Sequence, residues 1–80
     1  MEMKRVRLQG DRVRVAAEVF EGIEAVRQSG LTNMLDRPVV AQIAEEMGFA
    51  ESARWVREHR DLYARAIFHG FEVEDGKESA

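Results

Sequence analysis

Apolar positions first fall into a repeating pattern at Val13, Ala16, Ala17, Phe20, Ile23 and Val26, which recur at spacings of three and four. That stripe predicts an amphipathic helix from about Arg12 to Ser29. Gly10 breaks the chain before it, and Asp11 is a suitable N-cap. Arg14–Glu18 and Glu24–Gln28 stand one turn apart on its outer face. Gly22 interrupts the stripe and predicts the close approach of a neighbouring helix, and Gly30 ends the helix in a left-handed conformation.

A second helix is predicted to start at Asp36 or Arg37, because Pro38 fits only a first helical turn. Its apolar face is Val39, Val40, Ile43, Ala44 and Met47, with Gly48 as its stop and Phe49 packing back. A third pattern begins near Ala50–Ser52 without a strong cap. It carries Trp55, Val56, His59, Leu62, Tyr63, Ala66 and Ile67 at helical spacing and stops at Gly70. It reads as one helix of about 18 residues or as two with a break, since Asp61 is able to cap a second start. Arg54–Glu58, Arg57–Asp61 and Asp61–Arg65 stand at ion-pair spacing on its outer face. Trp55, Phe20, Phe49, Tyr63 and Phe68 are assigned to the core.

Both ends alternate with period two. Met3–Leu8 places Val6 and Leu8 opposite Arg5 and Arg7, and Phe71–Glu74 does the same with Glu72 and Glu74. Either the two segments pair as a ribbon, basic side chains against acidic ones, or they are two frayed ends. The fold class is therefore all-α: a single domain over 1–80, a bundle of three to four helices with its core at about 11–70, and a two-stranded ribbon as an option. Residues 75–80 are expected to be disordered.

The charge balance narrows the partners. Of the net −3, the whole deficit lies in residues 71–80, while the first 70 residues hold 11 acids and 11 bases. A neutral, mixed surface does not favour nonspecific nucleic-acid binding. With no cysteine, a thiol nucleophile and a thiolate metal site are excluded. No apolar run approaches the roughly 18 residues of a membrane span, and the expected location is the cytoplasm. His59 and His69, ten residues apart, fit no metal spacing, so no cofactor is expected and His59 reads as a hydrogen-bonded core residue. The scattered carboxylates form no catalytic arrangement, and the chain is read as a non-enzyme.

Two stretches remain as candidate contacts. Val40–Phe49 fits the first half of a helix-turn-helix, with an alanine at the crossing and a glycine in the turn. The following half fits poorly, because Arg54 and Arg57 occupy positions that motif buries. Arg54, Arg57 and Arg60 then form either a phosphate-contacting stripe or a solvated, ion-paired face. The other stretch is Ser29–Pro38. Thr32 or Asn33 closes a side-chain turn there, Met34 and Leu35 plug the core, and Asp36 caps the next helix. The functional alternative is that Thr32 and Asn33, beside Asp36, present hydrogen-bonding groups to a partner.

The run Ser29-Gly30-Leu31-Thr32-Asn33-Met34-Leu35-Asp36 carries a resemblance, together with Val40, Ala44, Gly48-Phe49, Trp55-Val56, His59, Tyr63, Ile67-Phe68 and Gly70. It resembles a family of short uncharacterised proteins encoded by bacteriophages and prophages. The shared pattern is G-x-T-N-M-x-D, then G-F, W-[IV]-x-x-[HN], Y-x-x-[FA]-I and a closing glycine, over about residues 13–70. Ala66 departs from the usual aromatic before Ile67. The resemblance implies a phage or mobile-element origin and supplies no activity. The functional expectation is an accessory protein that binds a host or phage protein, most concretely a host-defence inhibitor of the anti-CRISPR kind. A DNA-binding regulator using the helix around Arg54–Arg60 is the alternative, and a homodimer is open.

Overall fold

A computed structural model describes residues 12–74. The chain runs β1 (Val13–Ala16), α1 (Ala17–Ser29), α2 (Arg37–Glu46), α3 (Ala50–Glu58), α4 (Arg60–His69) and β2 (Phe71–Glu74). This is the helical bundle that the sequence predicts, with the terminal ribbon it left as an option, and Val13–Ala16 is the strand that pairs with Phe71–Glu74. β2 pairs with β1, in parallel, with Val13 opposite Phe71 and Val15 opposite Val73. Met3–Leu8 and the proposed cap Asp11 lie outside the described residues, as does the tail 75–80.

The first helix consequently begins at Ala17 and not at Arg12. The correction has a simple cause. Val13-Arg14-Val15 also satisfies a period of two, with Val13 and Val15 buried and Arg14 exposed, and the β-branched pair suits a strand better than a helix. Arg14 reaches Glu72 across the ribbon at 3.6 Å, in place of the expected Glu18. Parallel strands need a long crossover, and here four helices supply it.

Val19, Ile23 and Val26 of α1 pack against Val40, Ala41 and Ala44 of α2 and Ala53 and Val56 of α3, with Tyr63 and Ala66 closing the core from α4. Most of these side chains are valine or alanine, so the helices approach closely. The tightest point is Gly22 on α1, where an added Cβ would stand 2.0 Å from Ser52 Oγ and 2.7 Å from Phe49 Cβ. Ser52 is fully buried, and its hydroxyl lies 2.9 Å from the Val19 carbonyl and 3.1 Å from that of Glu18. The close approach anticipated at Gly22 is thus a contact between α1 and α3, sealed by a hydrogen bond.

The third pattern is two helices. The backbone leaves helical geometry at His59 (φ −121°, ψ 62°), one residue before α4. His59 N–H donates to the Trp55 carbonyl at 2.9 Å, and its Nδ1 lies 3.0 Å from the same oxygen while the ring stacks on Trp55. The break, not an Asp61 cap, starts α4. It also rotates Asp61 away from Arg57, which instead reaches Glu45 on α2 at 2.8 Å, while Arg54 meets Glu51 at 3.6 Å. Glu24 on α1 bonds Arg27 as well as the expected Gln28, and the Arg27 guanidinium holds its carboxyl below the usual carboxylate range.

Four large side chains placed on inward faces point outward, Leu62 at 37% among them. Phe68 is 72% exposed, Leu35 59% and Met47 44%. Tyr63 is buried, and Phe20, Phe49 and Trp55 pack against the core as expected.

Candidate functional site: the joint between α1 and α2

Residues 29–36 leave one helix and enter the next without regular structure, yet hydrogen bonds tie them to three of the four helices. Gly30 adopts φ 69° and ends α1, a conformation that favours glycine. Ser29 Oγ donates to the Val26 carbonyl at 2.6 Å and accepts from Leu31 N–H at 3.2 Å. Asn33 Oδ1 accepts from Leu35 N–H at 2.8 Å, and the Asn33 carbonyl accepts from Asp36 N–H at 2.9 Å. This is the side-chain turn the sequence predicts, and it is Asn33 that closes it.

Two longer reaches fix the joint to the rest of the body. Tyr63 Oη donates to the Met34 carbonyl at 2.5 Å from the buried side of α4. Burial pushes the phenol up to about 12, so it donates at any ordinary pH. Arg37 Nη1 donates to the Val56 carbonyl at 3.3 Å, satisfying one of the open acceptors at the end of α3.

Asp36 behaves differently from expectation. It occupies the N-cap position, but its carboxylate makes no bond to the helix amides; its backbone carbonyl accepts from Val39 and Val40 instead. Asp36→Ala is therefore expected to cost about 0.5 kcal/mol or less. Asn33→Ala is expected to cost about 1 kcal/mol, since it deletes the bond that shapes the turn. Thermal denaturation of the two variants side by side checks the order.

The joint is held, but it is not covered. Leu31 is 68% exposed and stands with Leu35 on either side of Asn33. Thr32 is half-buried, and its hydroxyl takes no part in the bonds above. Leu35 borders an open groove of about 270 Å3 whose other walls are Arg37, Tyr63, Arg60, Asp61 and Ala64. Of the six candidate residues, Thr32, Asn33 and Asp36 lie on the joint, and Arg60 is brought to its groove by the start of α4.

Arg54 and Arg57 are not brought there. Arg54 lies at a second hollow with Trp55, His59, Glu51 and Glu58, and Arg57 faces α2. The expected arginine stripe is thus split by the break at His59. Ala44 is buried, Gly48 has φ 94° and Phe49 packs inward, the three features expected at the turn between α2 and α3. The outward face of α3 nonetheless mixes Arg54 and Arg57 with Glu51 and Glu58.

Residues 15–71 match the family model described as a domain of unknown function, DUF5049. The chain belongs to this family. The DUF5049 match contains the joint, all four helices and the first residue of β2. No curated protein and no solved structure matches the chain. Among the described residues of this DUF5049 protein no three His, Asp or Glu side chains gather as a metal site, and no helix is long and apolar enough to cross a membrane.

The exposure of Leu31 and the place of Leu35 and Arg37 at this groove were not read from the sequence. A usable signal was present: a leucine in an aperiodic turn belongs to no apolar stripe and has no assigned face to bury.

Proposed function

We propose that this protein is a non-enzymatic accessory factor of a phage or other mobile element, working in the bacterial cytoplasm by binding a host or phage protein through the Ser29–Arg37 joint. An inhibitor of a host defence complex, of the anti-CRISPR kind, is the most concrete form of that role. One observation carries the reading: two leucines stand exposed on a loop that hydrogen bonds hold in place. A loop fixed before binding has little ordering entropy left to lose, and its apolar side chains gain by leaving water. Thr32 and the amide nitrogen of Asn33 add polar groups at the rim. The resemblance of the G-x-T-N-M-x-D segment to phage-encoded proteins supports the mobile-element origin.

Recognition of duplex DNA through α3 has weaker support, because Arg54 and Arg57 each face a carboxylate. The two readings separate experimentally. The immobilised protein is expected to retain a host nuclease complex from lysate. Leu31→Ser/Leu35→Ser is expected to lose it at unchanged thermal stability, while Arg54→Ala/Arg57→Ala keeps it. A salt-dependent shift of duplex DNA at micromolar protein, abolished by the arginine pair and not by the leucine pair, contradicts the proposal.

A further inference from the structure

The strand β2 is the least covered element of the fold. Phe71 is half-buried and packs on Phe20 and Trp55, while Glu72, Val73 and Glu74 are exposed, Val73 at 40%. Val13 N–H donates to the Gly70 carbonyl at 3.0 Å, and Val13 stands opposite Phe71. In a parallel ladder that geometry turns the backbone groups of Glu72 and Glu74 towards β1 and those of Phe71 and Val73 away from it. Among the described residues the sheet has two strands, and no group meets these outward donors and acceptors. An open edge is a template for a further strand.

We propose that β2 receives an extended segment of a partner protein in which basic residues alternate with apolar ones. The backbone supplies the bonding and the side chains supply the choice. Paired antiparallel, the segment exchanges hydrogen bonds with Phe71 and Val73 and sets its own side chains beside theirs. Its residues opposite Phe71 and Val73 extend the apolar layer that Val13 and Val15 begin, and they cover Val73. Its residues opposite Glu72 and Glu74 lie on the outer face, where a positive charge is favoured and a negative one opposed. Arg14 already meets Glu72 on that face at 3.6 Å, and Glu74 enters no ion pair among the described residues. A second copy of β2 does not fit the edge. Two-fold registers centred on Glu72 or on Val73 set Glu72 against Glu72 or against Glu74. The surface is separate from the Ser29–Arg37 joint, to which β2 contributes no residue.

The probe is the peptide acetyl-Thr-Arg-Val-Arg-Val-Thr-amide, added to the full chain and followed by NMR titration and amide hydrogen exchange. In the free protein the amides of Phe71 and Val73 are expected to exchange faster than that of Glu72, which β1 holds. The peptide is expected to slow Phe71 and Val73 by about tenfold or more and to leave Glu72 little changed. Glu72→Lys/Glu74→Lys is expected to weaken binding of this peptide about tenfold. The same variant is expected to gain binding of acetyl-Thr-Glu-Val-Glu-Val-Thr-amide, which also shows that its edge is still folded. Leu31→Ser/Leu35→Ser is expected to leave the affinity for the basic peptide unchanged, so this proposal and the joint can fail separately. Phe71 and Val73 amides already protected in the free protein overturn the proposal. So does a basic peptide that fails to bind, that binds without slowing those two amides, or that binds no better than its acidic counterpart.

Discussion

Gly22→Ala is expected to cost about 3 kcal/mol, although alanine is the better helix former by about 1 kcal/mol. The added methyl has nowhere to go. It would meet Ser52 Oγ at 2.0 Å, Ser52 Cβ at 2.5 Å and Phe49 Cβ at 2.7 Å. The position is interior to α1, on its buried face, so the helix must move away from α3 and surrender the hydroxyl bonds from Ser52 to the Glu18 and Val19 carbonyls. In a domain of this size the loss lowers the melting temperature by roughly 15 °C. Glu21→Ala, one residue away on the exposed side, is the control and is expected to change little. Ser52→Gly removes the two nearest obstructing atoms, so Gly22→Ala/Ser52→Gly is expected to lose less than the two single variants added together. Strict additivity would show that the two residues do not press on each other.

The second large effect is alkaline. Tyr63 is neutral and donating in the folded state, with a pKa near 12, against an ordinary phenol value of about 10 in the unfolded chain. The folded state therefore holds its proton more tightly. The stability tied to that proton is complete below pH 10 and is lost as the pH rises through 12, about 2–3 kcal/mol in all. Ionisation would set a phenolate against the Met34 carbonyl, two negative ends 2.5 Å apart. Tyr63 is the only tyrosine in the chain, so an ultraviolet titration reads it without overlap and should be coupled to unfolding. Tyr63→Phe is expected to cost about 1 kcal/mol at neutral pH and to flatten the loss between pH 10 and 12. A tyrosine that titrates at its ordinary value with the fold intact would contradict the buried placement.

Both predictions rest on features of unequal visibility in the sequence. Gly22 was legible because a glycine in an apolar helical stripe requires a reason, and close packing is the common one. The helix ends at Gly30, Gly48 and Gly70 were legible for a similar reason, since all three adopt positive φ. The start of α1 was not, because Val13-Arg14-Val15-Ala16 satisfies a period of two and of three to four over so short a run. Only the pairing with Phe71–Glu74, more than fifty residues away, decides between them. The break at His59 was visible as one of two options; its position was not, because no proline or glycine marks it.

The candidate site was half legible. Thr32, Asn33 and Asp36 stood out as polar groups in a turn, and the structure gives Asn33 the role of its clasp. Asp36 drew the wrong role, because sequence shows that a carboxylate is next to a helix start and not where it points. Leu35 was assigned to the core on hydrophobicity alone. Its backbone, fixed by the Asn33 turn and followed at once by α2, aims the side chain at solvent. Phe68 misled in the same way, lying one position past the half-buried Ile67 and two past the buried Ala66, where a helical turn carries it to the outer face.

The central claim is that the joint is an ordered platform before any partner arrives. Amide hydrogen exchange of Leu35 and Asp36 in the free protein tests it most directly, since both amides donate to Asn33 at under 3.0 Å. The account predicts that both exchange slowly, and that Asn33→Ala releases Leu35 while the amides of α1 and α2 stay protected. Exchange of both amides at the rate of an unstructured chain in the wild type would contradict it.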